Sequence, residues 1–263
     1  MSGVAIDVRG EGEALVLVHG FPLDRTIWRG QGPLAGHLRL VTFDLPGFGD
    51  SPPATPGPGG LGRYTDVVLD VMDRTGLRSA TLCGLSMGGY ILLDLWRRAP
   101  ERVERLVLCD TRAEADGEEA RRGRDQGVAR VREGRREELL DGMLTKLLTA
   151  ASREDPAVGG HVRKMMARAS ERGLVDALQA MKGRPDSTPL LSTISVPTLV
   201  LVGSEDALTP PADARRLQSA VPGAAISEIP GAAHLSPLEN PEAFNRALLD
   251  FFAQSPIGCT DEA

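Results

Sequence analysis

The sequence predicts an α/β fold: a mostly parallel sheet with helices on both faces and one all-helical insertion. Three observations lead there. Apolar runs at 14–18, 40–43, 79–83, 102–109 and 196–203 are too short for helices and fit strands covered on both faces. Helical patterns separate most of these runs, the rhythm of a parallel sheet with crossover helices. That rhythm breaks at Asp110, and from 112 to about 193 only amphipathic helical pattern remains, at 120–133, 137–150, 160–169 and 174–182. The expected division is a core of 1–111 and 194–263 with a helical cap, or lid, at 112–193.

In chain order, 4–9 alternates apolar and polar residues, and Arg9-Gly10-Glu11-Gly12 is a turn, so a hairpin-like pair with the run at 14–18 is expected. A Pro/Gly-rich loop occupies 52–60. Residues 61–75 read as a helix, with Val67, Val68, Val71 and Met72 on one side, that stops at Gly76. The helix that follows the run at 79–83 ends at Pro100. Beyond the insertion come a strand at 196–203, a helix at 212–221, a last strand at 225–229 and a closing helix at 238–253. A frayed tail is expected at 255–263.

Composition excludes several functions. A formal charge of −6 over 263 residues argues against a nucleic-acid partner, whose phosphates demand a basic surface. Cys83, Cys109 and Cys259 are odd in number and lack Cys-x-x-Cys spacing, so neither a disulfide framework nor a zinc site is indicated. With no charged, apolar leader pattern and no run near the ~18 residues of a membrane span, a cytoplasmic protein without a membrane partner is expected.

The chemistry is concentrated at Cys83-Gly84-Leu85-Ser86-Met87-Gly88-Gly89-Tyr90, a Gly-x-Ser-x-Gly placed where a strand turns into a helix. A turn that sharp crowds its neighbours, so Gly stands two residues before and after the Ser, whose hydroxyl is lifted to the positive end of the helix. This stretch resembles the nucleophile elbow of the α/β-hydrolase superfamily. Further segments are similar in the superfamily's order: His19-Gly20-Phe21-Pro22, the loop at 44–51, Gly203-Ser204-Glu205-Asp206 and Ala233-His234. The resemblance spans nearly the whole chain.

It implies an α/β-hydrolase fold with Ser86 as nucleophile, His234 as base and Asp206 as the acid that orients it, Glu205 and Asp110 being rivals for that last role. The backbone N–H groups of Phe21 and Met87 would form the oxyanion hole, and His19 would be structural. Trp28, Leu85, Met87 and Leu235 are expected to line a mostly hydrophobic pocket, with the cap methionines Met143, Met165, Met166 and Met181 as core filler or substrate contacts. Arg112 either receives a substrate carboxylate or pairs with Asp110, Glu114 or Asp116. The arginine-rich stretch 121–136 alternates with acids and reads as a solvated, salt-bridged face. No metal or cofactor is required. Within the superfamily, residues 19–24 with Trp28, the elbow at 84–90 and Cys109-Asp110-Thr111-Arg112 resemble those of small carboxylesterases and 3-oxoadipate enol-lactonase-like enzymes, which implies hydrolysis of small to medium, mostly apolar esters. An enol-lactonase, a cofactor-free haloperoxidase or perhydrolase, and a receptor-like binder with little turnover stand as alternatives.

Overall fold

The computed structural model describes residues 3–54 and 60–255. Cys259, part of the loop expected at 52–60 and nearly all of the expected tail lie outside the described residues.

Seven strands form one sheet: β1 (Ile6–Arg9), β2 (Ala14–Val18), β3 (Arg39–Phe43), β4 (Ala80–Leu85), β5 (Val103–Cys109), β6 (Thr198–Gly203) and β7 (Ala225–Ile229). The order is β1-β3-β2-β4-β5-β6-β7. β1 is antiparallel to β3, and every other pair is parallel. The hairpin expected between β1 and β2 is therefore absent. β2 is buried along its whole length and needs a neighbour on each edge; it takes β3 on one and β4 on the other, which leaves β1 to pair on the far side of β3. Leu15, Val16, Leu17, Leu82, Leu106, Val107 and Leu201 are fully buried along the central strands. Each such side chain contributes about 1.5–3 kcal/mol through apolar burial.

Helices α1 (Gly62–Arg74) and α2 (Met87–Arg98) precede β5, while α8 (Pro211–Ala220), α9 (Ser236–Glu239) and α10 (Pro241–Gln254) follow β6. A 3-10 segment at Arg25–Gly36, which the sequence pattern does not reveal, starts on Asp24, whose carboxylate accepts from the Thr26 N–H. Between β5 and β6 lie five helices: α3 (Glu118–Arg132), α4 (Arg136–Leu147), α5 (Ala150–Glu154), α6 (Gly159–Ala167) and α7 (Glu171–Lys182). No strand interrupts them, as the amphipathic pattern implies. Among the described residues, no helix is long and apolar enough to cross a membrane.

The helical segment is tied to the sheet by polar contacts at several points. Ser170 caps α7 through the Gly173 N–H, and its own N–H and hydroxyl donate to the carbonyl of Gly47, at 2.8 and 3.0 Å. Gly47 has φ +87°, and a Cβ built on it would lie 2.5 Å from Gly173 Cα, so this close approach requires glycine. Arg168 pairs with Asp24 and Asp50, and the Thr149 N–H donates to Glu239. The loop at 44–51 is thereby a structural turn: Asp44 accepts from the N–H groups of Arg25 and Asp50.

Candidate active site

In a parallel sheet the chain leaves every strand at the same edge, and the chemistry collects in the crevice where the strand order reverses. Here that crevice lies at β2 and β4, because β2 connects on to β3 on one side while β4 opens the other half of the sheet. Residues 19–21 follow β2, Ser86 follows β4, Asp110 to Arg112 follow β5, Asp206 follows β6 and His234 follows β7.

Ser86 sits at φ 54° and ψ −112°, a strained conformation for a residue with a side chain. Its backbone is fixed on several sides. The Ser86 N–H donates to the Cys109 carbonyl at 2.9 Å, and the Ser86 carbonyl accepts from the Gly89 N–H and the Thr111 hydroxyl. A Cβ on Gly84 would lie 2.6 Å from the Gly88 carbonyl carbon, and one on Gly88 would lie 2.3 Å from the Val18 carbonyl oxygen. The two glycines are thus demanded by packing of the elbow against itself and against β2.

The Ser86 hydroxyl is 2.8 Å from His234 Nε2, and His234 Nδ1 is 2.8 Å from Asp206 Oδ2. Asp206 is anchored in turn. Its Oδ1 accepts from the N–H groups of Leu208 and Thr209, and its Oδ2 from the Thr209 hydroxyl at 2.6 Å. This is an Asx turn, a local signal already present in Asp206-Ala207-Leu208-Thr209. Burial raises the Asp206 carboxyl, but the His234 charge and hydrogen bond, with the Thr209 bonds, outweigh it and hold the group below its ordinary value.

The rivals for the acid are placed elsewhere. Glu205 is exposed. Asp110 is buried, accepts from the Gly203 N–H and the Ser236 hydroxyl, and makes no hydrogen bond to His234. Burial and the nearby Asp206 charge push its carboxyl well above the usual range. His19 is wholly used by structure: Nδ1 donates to the Gly20 carbonyl and Nε2 accepts from the Leu45 N–H, both at 2.9 Å. Met87 is the first residue of α2, so its N–H has no partner within the helix, and Phe21 borders the cavity beside Ser86.

That cavity, of about 230 Å³, is lined from the core by Phe21, Ser86, Tyr90, Leu208, Thr209 and His234, and by Arg112, three residues beyond β5. The helical segment and its flanks contribute Asp116, Ala120, Arg124, Met143, Leu147, Met181 and Arg184. Several expectations are corrected here. Leu85 and Leu235 are fully buried in the core and do not reach the cavity. Trp28 packs against Phe244, at 6.2 Å between rings, and borders a separate cleft with Arg9 and Arg25. Met87 turns its side chain into the core, whereas Met143 and Met181 line the cavity and Met165 and Met166 are core filler. Arg112 pairs with Asp213 at 3.2 Å and donates to the Leu208 carbonyl, rather than pairing with Asp110, Glu114 or Asp116.

The lining also carries more charge than the apolar pocket expected. Sequence reasoning missed Arg184 and Glu239, named Asp116 only as a partner for Arg112, and read Arg124 as part of a solvated face, whereas it borders the cavity. Asp116 joins Arg184 at 2.5 Å and Arg124 at 3.1 Å, and the Arg184 guanidinium stacks 4.0 Å from the Tyr90 ring centroid. Glu239 accepts from the N–H groups of Ala233 and Thr149, tying the His234 loop to the helical segment. No short-range pattern marks either cluster.

A parallel sheet whose strand-to-helix turn presents a serine against a buried histidine and aspartate defines a hydrolase architecture. The chain belongs to the alpha/beta hydrolase family, whose pattern matches residues 15–247. It is similar in structure to a thermophilic esterase from Thermogutta terrifontis, solved with malate bound, at 37% identity and TM-score 0.91, covering 95% of this chain and 93% of that one. An enol-lactonase from Burkholderia xenovorans is similar at 30% identity and TM-score 0.87, over 95% and 96% of the two chains. In sequence, 3-oxoadipate enol-lactonase 2 of Acinetobacter baylyi is 28% identical over 89% of this chain and 86% of the relative.

Proposed function

We propose that this protein is a serine hydrolase of carboxylic esters, with Ser86 as nucleophile, His234 as general base and acid, and Asp206 as the group that orients His234. The observation that carries the reading is the unbroken relay from Ser86 Oγ through His234 to Asp206, with 2.8 Å at each link. In the first step Ser86 Oγ attacks the ester carbonyl as its proton passes to His234 Nε2. The oxyanion that forms accepts from the N–H groups of Phe21 and Met87; removing one such donor typically costs about 2.7–4 kcal/mol of transition-state stabilisation. Collapse expels the alcohol, which takes the proton from His234, and leaves an acyl-Ser86. Water, deprotonated by His234, then releases the acid and restores the serine.

Residues 112–193 act as the cap that closes this site. A lactone is the second reading, since the same steps open its ring and two of the similar proteins are enol-lactonases. The test is Ser86→Ala together with an organophosphonate probe. The variant is expected to keep its fold and lose ester hydrolysis, and the wild type to be labelled at Ser86 alone. Hydrolysis that survives the substitution, or label on another residue, would overturn the assignment.

A further inference from the structure

Four charged side chains line the cavity above Ser86, and they are not balanced. Arg112 pairs outside the cavity with Asp213, which it shares with Arg216, and Arg216 also lies 3.8 Å from Glu114, so these two cations face two carboxylates. The remaining three are Arg124, Arg184 and Asp116, two cations that share one carboxylate.

The two cations are used differently. Arg184 is almost fully buried, and both its terminal nitrogens are taken by the protein, its Nε alone being without a hydrogen-bond partner. Its Nη1 donates to Asp116 Oδ1 and the Met181 carbonyl, its Nη2 donates to the Glu114 carbonyl, and its face lies on Tyr90. Arg124, on α3, donates only Nε, to Asp116 Oδ2 at 3.1 Å. Among the described residues, its Nη1 and Nη2 have no hydrogen-bond or ion-pair partner. Asp116, held by Arg184, therefore fixes the Arg124 guanidinium by one edge and leaves its terminal fork unengaged.

We propose that Arg124 determines specificity by receiving one carboxylate of the substrate, so that the preferred substrates are small esters or lactones carrying a free carboxylate, such as half-esters of short dicarboxylic acids. The inference rests on the serine-hydrolase reading for its catalytic consequence, but the carboxylate site stands on Arg124 itself. A planar fork of two N–H-bearing nitrogens matches the two oxygens of a carboxylate bidentately. A single negative charge also closes the balance of two cations against Asp116, whereas a dianion such as a phosphate would exceed it. Of the other residues that the helices contribute to the lining, Ala120, Met143, Leu147 and Met181 offer a carboxylate no donor side chain, and burying one unpaired is costly.

The test compares p-nitrophenyl hydrogen adipate with p-nitrophenyl hexanoate, an anionic and a neutral ester of equal acyl length. Wild type is expected to favour the anionic ester. Arg124→Met should lower the ratio of their kcat/KM values tenfold or more, about 1.4 kcal/mol, and Arg124→Lys should restore part of it. In parallel, Ser86→Ala protein is titrated with monomethyl and dimethyl adipate. The half-ester should bind at least tenfold more tightly, and the difference should vanish on adding Arg124→Met, with thermal melting to verify the fold. Equal binding of the two adipates, or a kcat/KM ratio unmoved in Arg124→Met, would overturn the proposal even with esterase activity present. Preferential binding of the half-ester alongside a wild type that hydrolyses neither p-nitrophenyl ester would uphold the carboxylate site and sink the serine-hydrolase reading.

Discussion

Asp110 and Asp206 follow neighbouring strands, and their carboxyls are shifted in opposite directions by their surroundings. Asp206 faces His234 and three donor groups from Leu208 and Thr209, which favour its charged form. Asp110 is buried beside that charge with only two donors, so its neutral form is favoured. Two predictions belong at this scale. In steady-state kinetics, Asp206→Asn should lose up to about 10⁴ in kcat, because the imidazole is left in the wrong tautomer, and Asp110→Asn far less. A larger loss from Asp110→Asn would reverse the assignment of the acid. The second prediction is a pH dependence of stability. The folded chain keeps the Asp110 proton above the pH, about 3.9, at which the unfolded chain releases it. Its contribution to stability is therefore full below that pH and fades as the pH rises through the raised folded value. Asn keeps an acceptor for the Gly203 N–H and places an amide NH2, from which the Ser236 hydroxyl can accept, where the carboxyl oxygen stood, without titrating. Melting temperatures should consequently shift in favour of Asp110→Asn as the pH rises from about 4 to 7. A difference that stays constant across that range would contradict the shift. Asp206 has the opposite sign: its contribution is present above about 3.9 and lost as the pH falls through its lowered folded value.

At the scale of elements, the join between the helical segment and the sheet rests on backbone contact as well as on side chains. The Gly47 carbonyl receives both the N–H and the hydroxyl of Ser170, and Gly47 and Gly173 approach so closely that neither can carry a Cβ. Gly47→Ala should cost about 1 kcal/mol or more, since it adds a clash to a positive φ that a side chain disfavours. The urea midpoint should fall, and limited proteolysis should cut first within 112–193. An unchanged midpoint would show that α7 can move away at no cost. The elbow illustrates the same principle without a hinge: β4 and α2 meet so tightly that the turn between them holds Ser86 in one conformation.

For the whole molecule, the segment between β5 and β6 supplies Ala120, Met143, Leu147 and Met181 to the lining of the cavity beside Ser86, and on the proposed cap reading it sets what can reach that serine. A cavity of about 230 Å³ holds a short acyl chain, not a long one. Across p-nitrophenyl esters, kcat/KM should fall by about tenfold or more between butyrate and palmitate. A preference for emulsified long-chain lipid, rising at the interface, would overturn the proposal that the helices close the site.

What the sequence by itself determined is what short windows encode. Continuous apolar runs mark β2, β4, β5 and β6 because strands buried on both faces admit little else, and Gly84 and Gly88 mark the elbow because the steric demand lies within a few residues of Ser86. Ser86, Asp206 and His234 were legible in order because they lie one, three and five residues beyond the ends of β4, β6 and β7, and in a parallel sheet those ends share one edge. Only the tertiary structure decided that β1 pairs with β3, that Trp28 packs on Phe244 away from the cavity, and that Arg112 belongs to Asp213 while Arg124 keeps its fork unengaged. The physical reason is the range of the contacts. Strand pairing, and the direction a helical side chain takes toward a neighbour, depend on how distant elements pack, and local periodicity shows which face is apolar without showing what that face will meet.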